Sequence, residues 1–386
     1  MFSIDKQNRA CGTCILRVVD GRDEHPSGAA PPGTPHARAT RNQEGFTLIE
    51  VMVALTIMLI IVAAVFALMR DSMKVATTTY ELTDAQQNMR TAHEFINRDL
   101  VNAGDGLESI SDIRVPLAFV TSYITLNPVT DPATPGVINL GVFTTDNNVP
   151  ANTAITGAVP AMNLLTGTDR QTILEQDREF VFNNLNSIGL AANAINPAGS
   201  SITIPAGDSM SMFTVGEVYF LTSSAGGTFC TITGINEASR RLFFVASDPY
   251  GLNQPGAIGR IWANSAGATL ATSLQRMKLI QYYVTSTGLL MRRVFSVPGS
   301  GYRESMIAEH VLDVQFNYSL ITSDDLGNLT PSATTTLTTS AQQLAVRQVE
   351  VRVTVETPHA IQNGSRQPMT MTTSISVRNM QFRQAL

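Results

Sequence analysis

The stretch Phe46–Met69 reads FTLIEVMVALTIMLIIVAAVFALM and is an almost unbroken apolar run. Its 24 residues contain one formal charge, at Glu50. About 20 consecutive apolar residues are enough to cross the hydrocarbon core of a bilayer as a helix. Buried helices of soluble proteins rarely stay apolar on every face over such a length. The stretch therefore predicts a transmembrane helix over residues 46–69.

The flanks of this run indicate its type and its orientation. A cleaved secretory signal has an apolar region of about 7–15 residues with a small-residue cleavage site after it, and neither feature is present here. Arg38 and Arg41 precede the run, so the positive-inside rule places the preceding residues in the cytoplasm. Arg70 and Lys74 on the far side weaken this asymmetry without reversing it. The bulk of the chain is then expected outside the cytoplasmic membrane.

Glu50 is the exception within the run. A carboxylate in a membrane helix costs about 2.5–3.5 kcal/mol, the value for Asp at the helix centre on insertion scales. Glu50 lies near the start of the run, where the headgroups relieve part of this cost. A charged residue inside a membrane is a functional candidate by default, and the alternative is a tolerated interfacial glutamate.

Residues 45–50 read Gly-Phe-Thr-Leu-Ile-Glu with Arg41 upstream, which resembles the class III signal of type IV pilins and their relatives. The resemblance implies that a prepilin peptidase cleaves between Gly45 and Phe46. It also implies that Phe46 is N-methylated and that the apolar helix stays in the mature protein. In that family the residue matching Glu50 attracts the N-terminal amine of a neighbouring subunit in the filament. Opposite charges attract strongly at low dielectric, but each alone is costly to bury.

Residues 1–45 are then a prepilin leader, longer than such leaders usually are. A translation start placed too far upstream would explain the length, although Met52 is the next methionine. Cys11 and Cys14 form a C-x-x-C whose surroundings fit no standard zinc finger. With the leader removed Cys230 is the one remaining cysteine, so no intrachain disulfide is expected.

A single long helix is predicted over residues 46–104. No Gly or Pro occurs from Phe46 to Ala103, and Gly104 stands where a C-terminal cap is expected. Beyond the membrane the pattern becomes amphipathic, with apolar residues at spacings of three and four. This stripe, which we expect to pack under a sheet, consists of Ala85, Met89, Ala92, Ile96, Leu100 and Ala103.

Residues 105–386 are predicted to form a β-rich extracytoplasmic domain. Apolar residues alternate with polar ones at 314–320, 349–355 and 371–377, which is typical of strands with one buried face. Further strands are expected at 213–221, 228–235, 241–247, 279–285 and 289–295, the last two flanking a Ser-Thr-Gly hairpin turn. Residues 127–210 show little periodicity and are interpreted as loops or an irregular insertion.

Composition and motifs argue against several function classes. The net charge of −5 disfavours nucleic-acid binding, and three cysteines in 386 residues exclude a disulfide-stapled scaffold. No Walker loop, H-E-x-x-H or G-x-S-x-G motif occurs. We therefore expect no catalytic residue, cofactor or metal. Asp324–Asn328 misses the spacing of a calcium loop and is interpreted as a turn, and Trp262 as a packing residue.

Four further stretches resemble the PilW family of minor pilins: residues 98–104, 216–219, 308–316 and 376–379. The resemblance implies an α+β, type IV pilin-like fold in which the long helix packs on an antiparallel β-rich domain. It also implies a minor pilin anchored in the inner membrane with its domain in the periplasm, and later part of the surface fibre. The expected partners are other minor pilins, the major pilin, prepilin peptidase, the assembly platform and membrane lipid. The alternatives are a J-type pseudopilin of type II secretion and a static membrane-anchored adhesin or binding module.

Overall fold

The computed structural model describes residues 45–381, except 108–112, 129–136, 158–160, 183, 192–193, 197–198, 208, 224–225, 247, 254–271, 298–300, 324–328 and 362–363. Most of the leader, including Cys11 and Cys14, lies outside the described residues, as do Trp262 and the Asp324–Asn328 turn. The chain divides into two units, residues 1–65 and residues 66–386. We describe each unit by itself.

Helix α1, Leu48–Asn102, is one continuous helix of 55 residues. Its first part, up to Val65, belongs to the N-terminal unit and is exposed throughout. Just after its end, Gly104 adopts a positive φ of 77°, the left-handed conformation of a C-terminal glycine cap. The predicted helix and its end are confirmed.

The amphipathic stripe of α1 packs into the core of the second unit. All six residues predicted for the stripe, from Ala85 to Ala103, are at most 9% exposed and belong to the largest hydrophobic cluster. The small side chains among them allow the helix to approach the strands closely. This packing confirms the α+β, type IV pilin-like fold, with a long helix on a β-rich domain.

The described residues form 17 strands. They are β1 (Ile113–Pro116), β2 (Val137–Asn139), β3 (Phe143–Asp146), β4 (Arg170–Gln176), β5 (Ser187–Leu190), β6 (Ser201–Thr203), β7 (Val218–Ser223), β8 (Gly226–Thr231), β9 (Gly234–Asn236), β10 (Arg241–Phe243), β11 (Thr272–Val284), β12 (Leu290–Val297), β13 (Gly301–Ala308), β14 (Val311–Ser323), β15 (Leu329–Thr334), β16 (Val346–Glu356) and β17 (Pro368–Ser376). Short helices are α2 (Leu117–Phe119), which continues into a π-helical turn at Val120–Ile124, α3 (Ser340–Ala345) and α4 (Arg378–Gln381).

Strand β11 is the central element of the largest sheet. Along its 13 residues it pairs antiparallel with β4, β5, β7 and β12. The path β13-β12-β11-β7-β8-β1-β2 runs across this sheet, and the β1–β8 pair is parallel. The β11–β12 hairpin turns at residues 286–288, as the Ser-Thr-Gly motif predicts.

A four-stranded antiparallel sheet has the order β15-β14-β16-β17. In β16 the predicted alternation is confirmed, because Val349, Val351, Val353 and Val355 are all fully buried. Val314, Phe316 and Tyr318 of β14 are buried in the same cluster. This sheet therefore contributes one apolar face to the core that also receives α1.

A small sheet, β6-β10-β9, is associated with a second hydrophobic cluster. Phe180, Phe213 and Tyr219 stack within it at centroid distances of 5.5–6.0 Å. Residues 127–210, where the sequence shows little periodicity, contribute to this cluster and contain β2 to β6. Strand β4 from this region pairs with six residues of β11.

Candidate processing site and docking helix

The predicted cleavage site lies in an exposed segment ahead of α1. Gly45 is exposed, and apart from its chain neighbours no atom of the described residues lies within 4 Å of the position that a Cβ would take there. Phe46 is 83% exposed. A peptide bond must leave its own fold to enter a protease site, and no packing against the described residues has to be broken first.

Thr47 and Glu50 form a reciprocal capping box at the start of α1. The Glu50 amide donates to Thr47 Oγ1 at 3.3 Å, and the Thr47 amide donates to Glu50 Oε2 at 3.4 Å. Both hydrogen bonds are long, but together they satisfy two of the free N–H groups that a helix N-terminus carries. The carboxylate also lies where the helix dipole favours negative charge. Glu50 therefore stabilises its own helix, and within the described part of the chain no cation pairs with it.

This capping role of Glu50 was not predicted from the sequence, although the signal is present. Thr47-Leu48-Ile49-Glu50 follows the pattern Ser/Thr-x-x-Glu directly before an apolar run, which is the sequence signature of a capping box. The same four residues belong to the peptidase motif. One short segment therefore carries both the processing signal and the helix cap.

The side chains in the apolar part of α1 are exposed. Among the described residues, α1 is the one helix long and apolar enough to cross a membrane, and its most apolar 18-residue window is 0% buried. Leu48, Ile60 and Phe66 are each at least 66% exposed. Apolar surface of this extent requires lipid or other apolar helices as surroundings.

The last turns of α1 are fastened to the β-rich domain by polar contacts. Asp99 is 1% exposed and accepts hydrogen bonds from the Tyr282 hydroxyl at 2.5 Å and from Arg292 Nε at 2.6 Å. The Gly104 amide donates to the Leu174 carbonyl at 2.8 Å. These contacts join the helix end to β4, β11 and β12.

Nearer its N-terminus, α1 also contacts the C-terminal part of the chain. His93, which is 2% exposed, contacts the Met371 carbonyl of β17 through Nε2 at 3.2 Å. Burial lowers the pKa of His93 and favours its neutral form. One turn before Ala85, the first buried residue of α1, Glu81 accepts a hydrogen bond from the His359 backbone amide at 3.1 Å and contacts the His359 ring at 3.0 Å.

A family model described as the prokaryotic N-terminal methylation motif matches residues 40–66. A search of curated proteins and a search of solved structures each found no match to the chain. The motif, together with the long helix and the β-rich domain, indicates a type IV pilin-like or pseudopilin-like protein that is anchored in a membrane. Proteins of this class are usually structural rather than enzymatic. The motif implies processing by a prepilin peptidase and a connection with pilus or secretion machinery.

Proposed function

We propose that this chain is a minor pilin of the PilW type, which primes or caps a type IV pilus together with other minor pilins and the major pilin. The observation that carries the proposal is the bulk of the unit formed by residues 66–386, with its three sheets and second hydrophobic cluster. A major pilin is repeated along the whole fibre, where a large domain is difficult to pack. A subunit present in few copies at the fibre tip is free of this restriction.

In this proposal the helix serves in two environments. Before assembly it spans the inner membrane with the β-rich domain in the periplasm, and after extraction it lies among other helices in the fibre. Its apolar faces are satisfied by lipid or by helices, which keeps the free energy of transfer small. The amine created at Phe46 by cleavage is the proposed partner of Glu50 on a neighbouring subunit.

Deletion of the gene in its native host tests the proposal. We expect loss of sheared surface pilin and of twitching motility, with protein export intact and with recovery on complementation. Normal pili with lost export would favour the J-type pseudopilin of a type II secretion system. No change in either would favour a static anchored adhesin or binding module.

Glu50→Val tests the docking role separately from membrane insertion. We expect this variant to insert and to be cleaved, but to be missing from sheared fibres, because the neighbouring amine loses its counter-charge. Thr56→Val is the matched control, since it removes a hydroxyl from the same apolar helix but no charge. Equal incorporation of both variants into fibres would refute a docking role for Glu50.

Gly45→Leu tests the cleavage position. Because no described residue lies near the position of a Cβ at Gly45, the substitution causes no clash with the described part of the chain. We expect accumulation of the uncleaved precursor, detected by mass, while the wild-type protein begins at an N-methylated Phe46. A mature protein with a different N-terminus would contradict the assignment of Gly45 and Phe46.

A further inference from the structure

A cleft of about 690 Å³ opens beside the last turns of α1 in the second unit. Its walls come from the end of α1, from β4 and the residues that follow it, and from β11, β12 and β13. This volume lies within the range of about 300–1,000 Å³ that is usual for small-molecule sites. Such sites are usually mostly apolar, whereas this cleft is lined mainly by charged side chains.

Two buried acidic side chains of the cleft, Asp177 and Glu217, already have partners. Asp177 accepts from Arg276 at 2.6 Å and from Lys278 at 2.8 Å. Glu217 accepts from Arg276 at 3.0 Å and from the Tyr219 hydroxyl at 2.9 Å. These carboxylates therefore position the surrounding cations and offer little to a ligand.

The cationic side chains, in contrast, have N–H groups that these ion pairs do not use. A guanidinium carries five N–H groups and an ammonium three, so Arg276 and Lys278 are not exhausted by these pairs. Arg303 of β13 lines the cleft, and its side chain makes no hydrogen bond or ion pair with any residue in the described ranges. Five cationic and five acidic side chains line the cleft, and the acidic ones include the exposed Glu179. The unused N–H groups of Arg303, rather than the net charge, are therefore what the cleft offers to a ligand.

Glu175 is the unsatisfied group in this cleft. It is 8% exposed, and its Oε2 has no hydrogen-bond partner among the described residues. Burial, followed by repulsion from Asp99, raises the pKa of Glu175 to about 7, against the opposing effect of Lys278, Arg292 and Arg98. Near neutral pH the side chain is therefore often a protonated carboxyl. A buried donor without an acceptor is costly, and most such groups in native proteins have a partner.

We propose that this cleft binds a small hydrophilic oxyanion, specifically the carboxylate of a sugar acid, which contacts the guanidinium of Arg303 and the buried, unpartnered Oε2 of Glu175. The spare donors of Lys278 and Arg276 then serve the remaining ligand oxygens. A polar, partly open cleft suits a ligand rich in hydroxyl groups better than an apolar one. The proposal is independent of the role of the protein in a pilus.

Calorimetric titration of the full-length chain in a neutral detergent tests the proposal, with glucuronate, glucose and inorganic phosphate as probes at pH 6 and pH 8. We expect glucuronate to bind at pH 6 and about tenfold more weakly at pH 8, because ionisation of Glu175 removes its donor and adds repulsion. Glucose should bind at least tenfold more weakly than glucuronate at pH 6. Phosphate binding with the same pH dependence would support the oxyanion site and would identify an inorganic anion as a second type of ligand for it.

Two variants and a control connect the binding to the cleft. Arg303→Gln should weaken glucuronate binding at least tenfold, whereas Arg241→Gln, at an exposed arginine on β10, should leave it unchanged. Glu175→Gln should still bind at pH 6, because an amide N–H replaces the acid O–H, and should lose the pH dependence. Circular dichroism verifies that each variant is folded.

Three results would each overturn the proposal. The first is absence of binding by both glucuronate and phosphate at pH 6 to the folded wild-type chain. The second is equal binding by wild type and Arg303→Gln. The third is an unchanged pH dependence in Glu175→Gln.

Discussion

Asp99→Ala removes the carboxylate that fastens the end of α1 to the β-rich domain. In the wild-type chain this carboxylate is 1% exposed and accepts from Tyr282 at 2.5 Å, from Arg292 at 2.6 Å and from Arg98 at 3.3 Å. The substitution leaves a guanidinium and a phenol hydroxyl without their acceptor. We expect a large loss of stability in the second unit.

The size of this loss follows from the burial of the partners. Removing one member of a buried ion pair costs about 3–5 kcal/mol, since the remaining charge is left uncompensated. The side chain of Arg292 is 16% exposed, so water reaches part of it and the lower end of that range applies. Tyr282 is fully buried and adds to the cost. We therefore expect a decrease of about 3 kcal/mol in the free energy of unfolding.

Urea unfolding of the full-length chain in a neutral detergent, followed by circular dichroism, measures the effect. Asp105→Ala is the matched control, because Asp105 lies just beyond the end of α1 and pairs with Arg178 at 2.7 Å, but that arginine side chain is 63% exposed. An exposed pair contributes at most about 1 kcal/mol. The double variant Asp99→Ala/Arg292→Met should be no less stable than Asp99→Ala alone, because it also removes the uncompensated charge.

The reasoning would be refuted if Asp99→Ala cost less than about 1 kcal/mol, or no more than Asp105→Ala does. A further loss in the double variant would also contradict it. A small cost of Asp99→Ala would mean that the apolar stripe of α1 alone holds the helix on the sheets and that the polar contacts at its end are dispensable.

Three other predictions concern the second unit. The pKa of Glu175 is about 7 in the folded chain and about 4.5 in the unfolded chain, so its contribution to stability is complete below pH 4.5 and is lost as the pH rises through 7. Glu175→Gln should therefore raise the free energy of unfolding by roughly 3 kcal/mol at pH 8 and change it little at pH 4. Urea unfolding at the two pH values measures this difference. Gly141→Ala should destabilise by about 1–3 kcal/mol, because its Cβ would lie 2.1 Å from Gln343 Oε1, and added Gln343→Ala should restore most of the loss. Cys230 is fully buried and burial raises its pKa, so the cleaved protein should react with maleimide only after unfolding, and rapid labelling of the folded protein would contradict its placement.

The elements that the sequence predicted well are those whose pattern is local. The absence of Gly and Pro from residues 46–103, followed by Gly104, predicts the extent of α1 to within two residues at each end. In β16, valines alternate with polar residues because one face is buried and the other is not. Such periodicity is visible from neighbouring residues alone.

Strand β4 shows why residues 127–210 were harder to interpret. Its sequence, Arg170–Gln176, alternates in no simple way, and six of its seven residues are buried. A strand covered on both faces has no polar side to mark its period. Its buried polar residues are instead satisfied by distant partners, as when Arg170 pairs with Asp146 at 2.5 Å.

The sequence alone predicted four features, because each depends on residue types at short spacing. They are the apolar membrane helix, the peptidase motif at Gly45 and Phe46, the unusual carboxylate at Glu50 and the β-rich class of the remainder. The tertiary structure alone decided that Asp99 meets Arg292, and that Glu175 and Arg303 line one cleft. Asp99 and Arg292 lie 193 positions apart in the chain, and Glu175 and Arg303 lie 128 positions apart. The sheet register brings them together, and no local pattern encodes which strands will pair.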